Sequence, residues 1–279
     1  MVPMAHTTQR TQPTTTRPGR PVPPTRVVRQ LGDATSITNS PATVLSRCSH
    51  VSWHHQVRFG YSVGLTDSHR LSLLGMRRLS RPPNHRSLVT ITHLREIHRS
   101  LNYDQPYDRV LWGATVLGYF FLLRRSEYLG SSGENEWFII QRRDIQLTDD
   151  DGRNSTDFTA ATHVTIRFRG TKTDQVDEVT TRTLAKTTSP WLCPVRAARA
   201  LLRENKDAAD VTPLCWVNGA VLPARALEKI IKTAVMRCGE DSSKFGTHSL
   251  RCGGATALFQ AGCEDSTIKL QARWTSDCY

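Results

Sequence analysis

Apolar residues follow no period through the first 47 positions of this 279-residue chain. That stretch is rich in Pro, Thr and Arg, with six prolines before position 25, and predicts a disordered tail. A transit peptide is also Arg-rich and acid-poor, but the prolines oppose the amphipathic helix such a peptide needs. Residues 48–86 hold only a few apolar positions (Val57, Phe59, Leu71, Leu74, Met76) among many His and Arg, too few for a domain of their own. Ser80-Arg-Pro-Pro-Asn84 reads as a linker.

From Thr90 onward the pattern strengthens. Thr92 predicts the cap of a helix whose inner face is Leu94, Ile97 and Leu101. Pro106 opens a second helix that the apolar run carries to about Tyr128. Trp137 to Leu147 predicts a strand, and Asp151-Gly152 a turn. His163 to Arg169 alternates Val164, Ile166 and Phe168, the mark of a half-buried strand. Gly170-Thr-Lys-Thr-Asp174 is a turn and Val179 to Leu184 a third strand, giving a small antiparallel sheet with Lys172 at its tip. Three more helices follow the same logic. The first opens at Pro194 with Val195, Ala198, Leu201 and Leu202 inward. The next, Pro223 to Cys238, carries Leu227, Ile230, Ile231 and Ala234 on one face and stops at Gly239. The third runs from Thr247 to Ala261 and stops at Gly262, and a last helix begins near Asp265.

Charge changes the picture. The net charge is +12, of which +11 lies in residues 1–100 and +1 in the remaining 179. Such a basic third suits a polyanion, most simply nucleic acid, because neutralised phosphates release counterions. A solvated basic surface is the plainer alternative. Seven scattered cysteines without a Cys-x-x-Cys pair, and no secretory signal, argue against a disulfide framework or a zinc site and for a reducing compartment. The longest apolar run, Val110 to Leu123, has 14 residues, too few to span a bilayer, so no membrane partner is expected.

Four separated pieces carry candidate chemistry: Leu123-Arg-Arg-Ser-Glu-Tyr128, Gly170-Thr-Lys-Thr-Asp174, His248-Ser-Leu-Arg251 and Arg273-Trp274. Each has a plain reading on its own. Arg124 suits a surface charge, Lys172 a solvated turn, His248 a structural histidine and Trp274 a core residue. His248 and Arg251, three apart on a helix, point the same way.

In this order the pieces resemble the tyrosine recombinase (phage integrase-type) family. Its pattern is Arg-x-x-Glu with a Ser before the Glu, a Lys on a β-hairpin, His-x-x-Arg, a His or Trp, and a nucleophilic Tyr. Arg124, Lys172, His248, Arg251 and Trp274 fall on the first five. Gly253-Gly254-Ala255-Thr256, Lys172-Thr-Asp174 and Cys193-Pro-Val195 are closest to recombinases of eukaryotic mobile elements such as cryptons. The resemblance covers about Leu88 to Tyr279.

It implies an α+β fold: a mainly helical catalytic domain with a small three-stranded antiparallel sheet, preceded by a disordered basic tail. The domains expected are a tail over 1–47, a remnant of a helical core-binding domain over 48–86, and the catalytic domain over 87–279. The resemblance further implies breakage and rejoining of double-stranded DNA through a phosphotyrosine intermediate. Arg124 and Arg251 would clamp the phosphate with charge-assisted bidentate hydrogen bonds. Lys172 would protonate the leaving 5′ hydroxyl, and His248 would act as acid or base. Trp274 would offer its indole N–H and exclude water. Glu127 would orient its neighbours, and Gly253 and Gly254 would let their helix approach another closely. No metal or other cofactor is expected, because arginines meet the phosphate charge. Asp149-Asp150-Asp151 reads as a solvated loop. A homo-oligomer on DNA follows from the family, and so does a nuclear location in a eukaryote or a cytoplasmic one otherwise.

Two departures stand out. Arg124 and Lys172 are 48 positions apart, which predicts an extended hairpin. In the family the Tyr follows the fifth residue by a little over two helical turns, about eight or nine positions. Tyr279 follows Trp274 by five. The expectation is therefore a catalytic domain truncated at its C-terminus, without its own nucleophile. The alternatives are a non-catalytic DNA-binding module and a degenerate mobile-element remnant.

Overall fold

The computed structural model describes residues 39–80, 87–130, 138–155, 160–170 and 179–274. The chain forms two compact units, residues 1–83 and 84–279. The calls on the tail before residue 39, on Lys172 at the hairpin tip and on Tyr279 lie outside the described residues.

The first unit contains α1 (Pro41–Phe59) and α2 (Asp67–Leu79). Helix α1 starts inside the stretch that sequence composition assigns to the tail. The start signal is local: Ser40 accepts a hydrogen bond from the Thr43 N–H, and Pro41 sits in the first turn. Gly60, at φ 76°, ends the helix in the left-handed region. Val44 on α1 and Leu73 on α2 are buried, while Trp53, Val57, Phe59, Leu71 and Leu79 are exposed.

The second unit is built around α4 (Pro106–Phe120), whose residues Val110 to Tyr119 are all buried. Helix α3 (Ile91–Ser100) buries Leu94 and Ile97 completely. Its cap is Thr90 rather than Thr92: the Thr90 N–H donates to His93 Nδ1 at 3.1 Å, the reciprocal half of a capping box. On the far side of that ring, His93 Nε2 lies 2.8 Å from Glu240. This ties α3 to the turn after α7 (Ala224–Arg237).

Strands β1 (Ile145–Thr148), β2 (His163–Phe168) and β3 (Thr180–Ala185) form the antiparallel sheet in the order β1-β2-β3. Ile145 pairs with Ile166, and Val164 with Leu184. Val164, Ile166 and Phe168 point into the core, as the alternation requires. Helix α6 (Pro194–Glu204) lies between the sheet and α4, with Val195, Ala198 and Leu201 buried.

Two sequence expectations fail here for identifiable reasons. The second helix does not reach Tyr128. It stops at Phe120, where Leu122 turns left-handed at φ 50° and the Leu123 N–H returns to the Gly118 carbonyl. A short helix, α5 (Arg125–Tyr128), follows. The strand expected over Trp137–Leu147 is confined to β1 within the described residues. Asp144 accepts the Gln141 N–H at 2.8 Å and closes a 3₁₀ turn over Arg142–Asp144, so the chain bends instead of extending. The hairpin of β4 (Trp216–Val217) and β5 (Ala220–Val221) has no counterpart in the sequence reading.

Helix α8 (His248–Gln260) packs on α4, and α9 (Asp265–Ala272) packs on α8. A methyl group at Gly253 would lie 2.0 Å from the Val89 carbonyl oxygen, and one at Gly254 would lie 2.1 Å from that of Tyr119. The two glycines thus set how closely α8 meets the backbone before α3 and the end of α4.

Candidate phosphate-binding site

The site forms where α4 and α9 end and α5 and α8 begin. Arg124 stands at the cap position of α5, and Glu127 at its third residue. Glu127 Oε2 accepts the Arg124 backbone N–H at 2.8 Å, and Oε1 accepts from Arg124 Nη1 at 3.1 Å. The Arg-x-x-Glu spacing therefore supplies the Glu half of a capping box, while the arginine side chain, a donor only, reaches the same carboxylate. Glu127 is 1% exposed, whereas the Arg124 side chain retains 30% of its surface.

Arg251 comes from the first turn of α8 and is 2% exposed. Its Nη1 donates to the Leu122 carbonyl and its Nη2 to the Ala272 carbonyl. The Trp274 ring covers it, with 5.4 Å between the guanidinium carbon and the ring centroid. His248 is exposed on the same helix and lines a cavity of about 390 Å³ with Cys252, Phe259, Ile268 and Trp274. His248 and Trp274 thus share a cavity, and the Trp274 ring that lines it also covers Arg251.

Arg273, quoted in the sequence only beside Trp274, is given no role there. It ends α9 in the left-handed region at φ 56°, with the Trp274 N–H bonded to the Lys269 carbonyl and its own N–H to Leu270. This is the same kind of stop as at Leu122, again without glycine. Its guanidinium donates to Glu127 at 2.7 Å and to the Phe121 carbonyl at 3.2 Å, and it lies 3.8 Å from the Phe168 ring centroid. The side chain is 6% exposed. Its Nε is buried without a hydrogen-bond partner among the described residues.

Four consecutive carbonyls at the end of α9 each receive a different arginine. Leu270 accepts from Arg182 Nε at 2.7 Å and Gln271 from Arg273 at 3.3 Å. Ala272 accepts from Arg251, and Arg273 from Arg124 at 3.2 Å. A helix C-terminus has unpaired carbonyls and the negative end of the macrodipole, so cations gather there.

Electrostatically, three guanidinium groups share one buried carboxylate. Arg251 is pushed down to about 10, first by burial and then by the charges of Arg124 and Arg273, with Glu127 pulling the other way. Arg273 is also lowered, by burial first and against the pull of Glu127. The folded value for Arg251 lies below the ordinary one, and both states are charged at neutral pH. Folding therefore holds that charge at a cost on the order of 3 kcal/mol. An anion placed against the group offsets part of it.

Tyr119 and Tyr128 lie next to the site but are buried, with phenols pushed up by burial. They are core residues. No cluster of three or more metal-ligating side chains occurs among the described residues. None of the described helices is long and apolar enough to cross a membrane.

No protein-family model and no curated protein matches the chain. Solved structures do match. The XerH site-specific recombinase, in a post-cleavage complex with palindromic difH substrate, superposes with a TM-score of 0.57 at 15% identity. The alignment covers 91% of this chain and 66% of that one, so the chain spans just under two thirds of that relative. A pre-cleavage XerH–difH complex gives 0.48 at 16% identity over 89% and 69% of the two chains. XerA recombinase gives 0.44 at 12% over 91% and 82%. The fold assignment rests on the first of these. With α4 at its centre, the β1-β2-β3 sheet on one side and Arg124, Arg251 and Trp274 converging at the end of α9, the chain has the tyrosine-recombinase fold.

Proposed function

We propose that the chain is a DNA-binding, site-specific recombinase- or integrase-like protein whose pocket grips a backbone phosphate of duplex DNA. One observation carries this reading. Arg124 and Arg251, 127 residues apart, meet on the adjacent carbonyls of Arg273 and Ala272, in a site with more buried positive charge than its one carboxylate balances. Guanidinium forks are suited to phosphate oxygens. Arg124 is the outer contact. Arg251 lies under Trp274, so a phosphate reaches it when the indole moves aside. His248, on the rim of the cavity, would serve in proton transfer, and Lys172, between β2 and β3 in the sequence, is the further candidate the family pattern names. We further propose that Tyr279, five residues after Trp274 in the sequence, is not the attacking group.

Arg124→Ala combined with Arg251→Ala is expected to weaken duplex binding about tenfold or more and to flatten its salt dependence by one to two units of slope. Fluorescence anisotropy at several salt concentrations reads both, with a cooperative thermal transition as the control for folding. Unchanged binding in a folded double variant would favour a DNA-binding module that does not use this pocket. On a nicked suicide duplex the chain is expected to leave no covalent protein–DNA band. A band that disappears in Tyr279→Phe would make Tyr279 the nucleophile.

The burial cost of Arg251 predicts a second effect. Saturating inorganic phosphate is expected to raise the midpoint of thermal unfolding by on the order of 2–8 °C, compared with chloride at equal ionic strength. No difference between the two anions would count against an anion site here.

A further inference from the structure

We propose that Arg273 is a positioning residue that fixes the two phosphate-facing arginines relative to one another, an inference that rests on the phosphate-binding reading above. Neither its type nor its place makes it one of the five family positions. Its contacts nonetheless reach both arms of the pair. Toward Arg124 it acts twice. Its guanidinium holds Glu127, whose other oxygen holds Arg124 Nη1, and its backbone carbonyl accepts Arg124 Nη2. Toward Arg251 it acts through the Leu122 carbonyl, which accepts from Arg251 Nη1 and from Arg273 Nη2 at 3.5 Å. Each arm is therefore one hydrogen-bonded group away from the same guanidinium.

Two further features set this side chain apart from an ordinary helix-end cation. It stacks on Phe168, the last residue of β2, which orients the plane of its fork. It also occupies a left-handed backbone position that glycine would adopt without strain, so the chain tolerates strain there to keep a long cationic side chain. A lysine could supply the charge but not the geometry. An ammonium carries its three N–H groups on one nitrogen, whereas the fork meets the Phe121 carbonyl from Nη1 and meets Glu127 and the Leu122 carbonyl from Nη2, in one fixed plane. The role assigned is therefore angular: Arg273 sets the directions in which Arg124 and Arg251 present their remaining N–H groups.

Titration calorimetry of the full chain with inorganic phosphate tests this, using Arg273→Lys, Arg273→Gly and Arg124→Ala alone and combined. Arg273→Gly removes the side chain and relaxes the backbone, so a loss in it cannot come from a strained turn. Arg273→Lys keeps the charge and serves where the glycine variant does not fold. Both single variants are expected to bind phosphate at least about tenfold more weakly than the parent chain. Arg124→Ala, about tenfold in the parent, is expected to fall to under about threefold in the Arg273→Lys background, because the arm it removes is already misdirected. Parent-like binding by Arg273→Lys, or full additivity of the two changes, would overturn the positioning role while leaving the phosphate site in place. A parent chain that binds no phosphate, or that is indifferent to Arg124→Ala, would remove the underlying reading and the positioning role with it.

Discussion

Glu127→Ala is expected to lower the unfolding free energy by about 3–5 kcal/mol, among the larger losses available to a single substitution. The carboxylate is almost completely buried and accepts from the Arg124 backbone N–H, from Arg124 Nη1 and from Arg273 Nη2. Removing it leaves the Arg273 guanidinium in a desolvated position with no counter-charge, between two other arginines. It also deletes the acceptor of the Arg124 N–H at the start of α5, a helix of one turn. Glu127→Gln separates the two effects. The amide keeps the shape and one acceptor, so it is expected to retain part of the capping and lose the charge compensation, with a cost roughly half as large. Urea denaturation with a matched m-value checks both. A loss below about 1 kcal/mol for Glu127→Ala would mean that the arginines find other anionic partners.

Gly253→Ala is expected to destabilise by about 3 kcal/mol, against the sign that helix propensity alone gives. In an exposed helix interior the change would gain roughly 1 kcal/mol. Here the new methyl would sit 2.0 Å from the Val89 carbonyl oxygen, a backbone atom that cannot turn aside as a side chain can. Overpacking of this kind typically costs 1–3 kcal/mol and occasionally more, so the overlap outweighs the propensity. Gly254→Ala makes a useful comparison. Its methyl would press on the Tyr119 carbonyl and the Leu122 side chain, next to the left-handed turn that holds Arg251. A similar loss of stability is expected there, with an added loss of phosphate affinity that Gly253→Ala does not share. Equal phosphate affinity in the two variants would count against a link from the α4 stop to the site.

Much of the helical layout is legible in the sequence, because its signals are periodic. The inward faces of α6 and α7 follow from Val195, Ala198 and Leu201 and from Leu227, Ile231 and Ala234, and Gly239 and Gly262 mark true stops. The failures share a cause. Helix α4 ends at a left-handed leucine and α9 at a left-handed arginine, so the usual glycine signal is missing at both. An apolar run read without that punctuation continues to Tyr128. Among the residues of the site, Arg124, Glu127, His248, Arg251 and Trp274 could be picked out because, taken in order, they resemble a family pattern. Arg273 and Arg182 could not, since what defines them is contact with carbonyls distant in sequence. The burial of Arg251 beneath Trp274 was equally invisible, because it depends on how α8 meets the end of α4.

The row of carbonyls from Leu270 to Arg273 bears on the speed of recognition. Guanidinium groups repel one another, and gathering several on the arrival of a ligand would slow the encounter. In this chain the end of α9 has already gathered them. On the proposed reading, a DNA backbone first meets Arg124, which is already held in position, and long-range attraction assists its capture. Association should accelerate steeply as ionic strength falls, while dissociation changes far less.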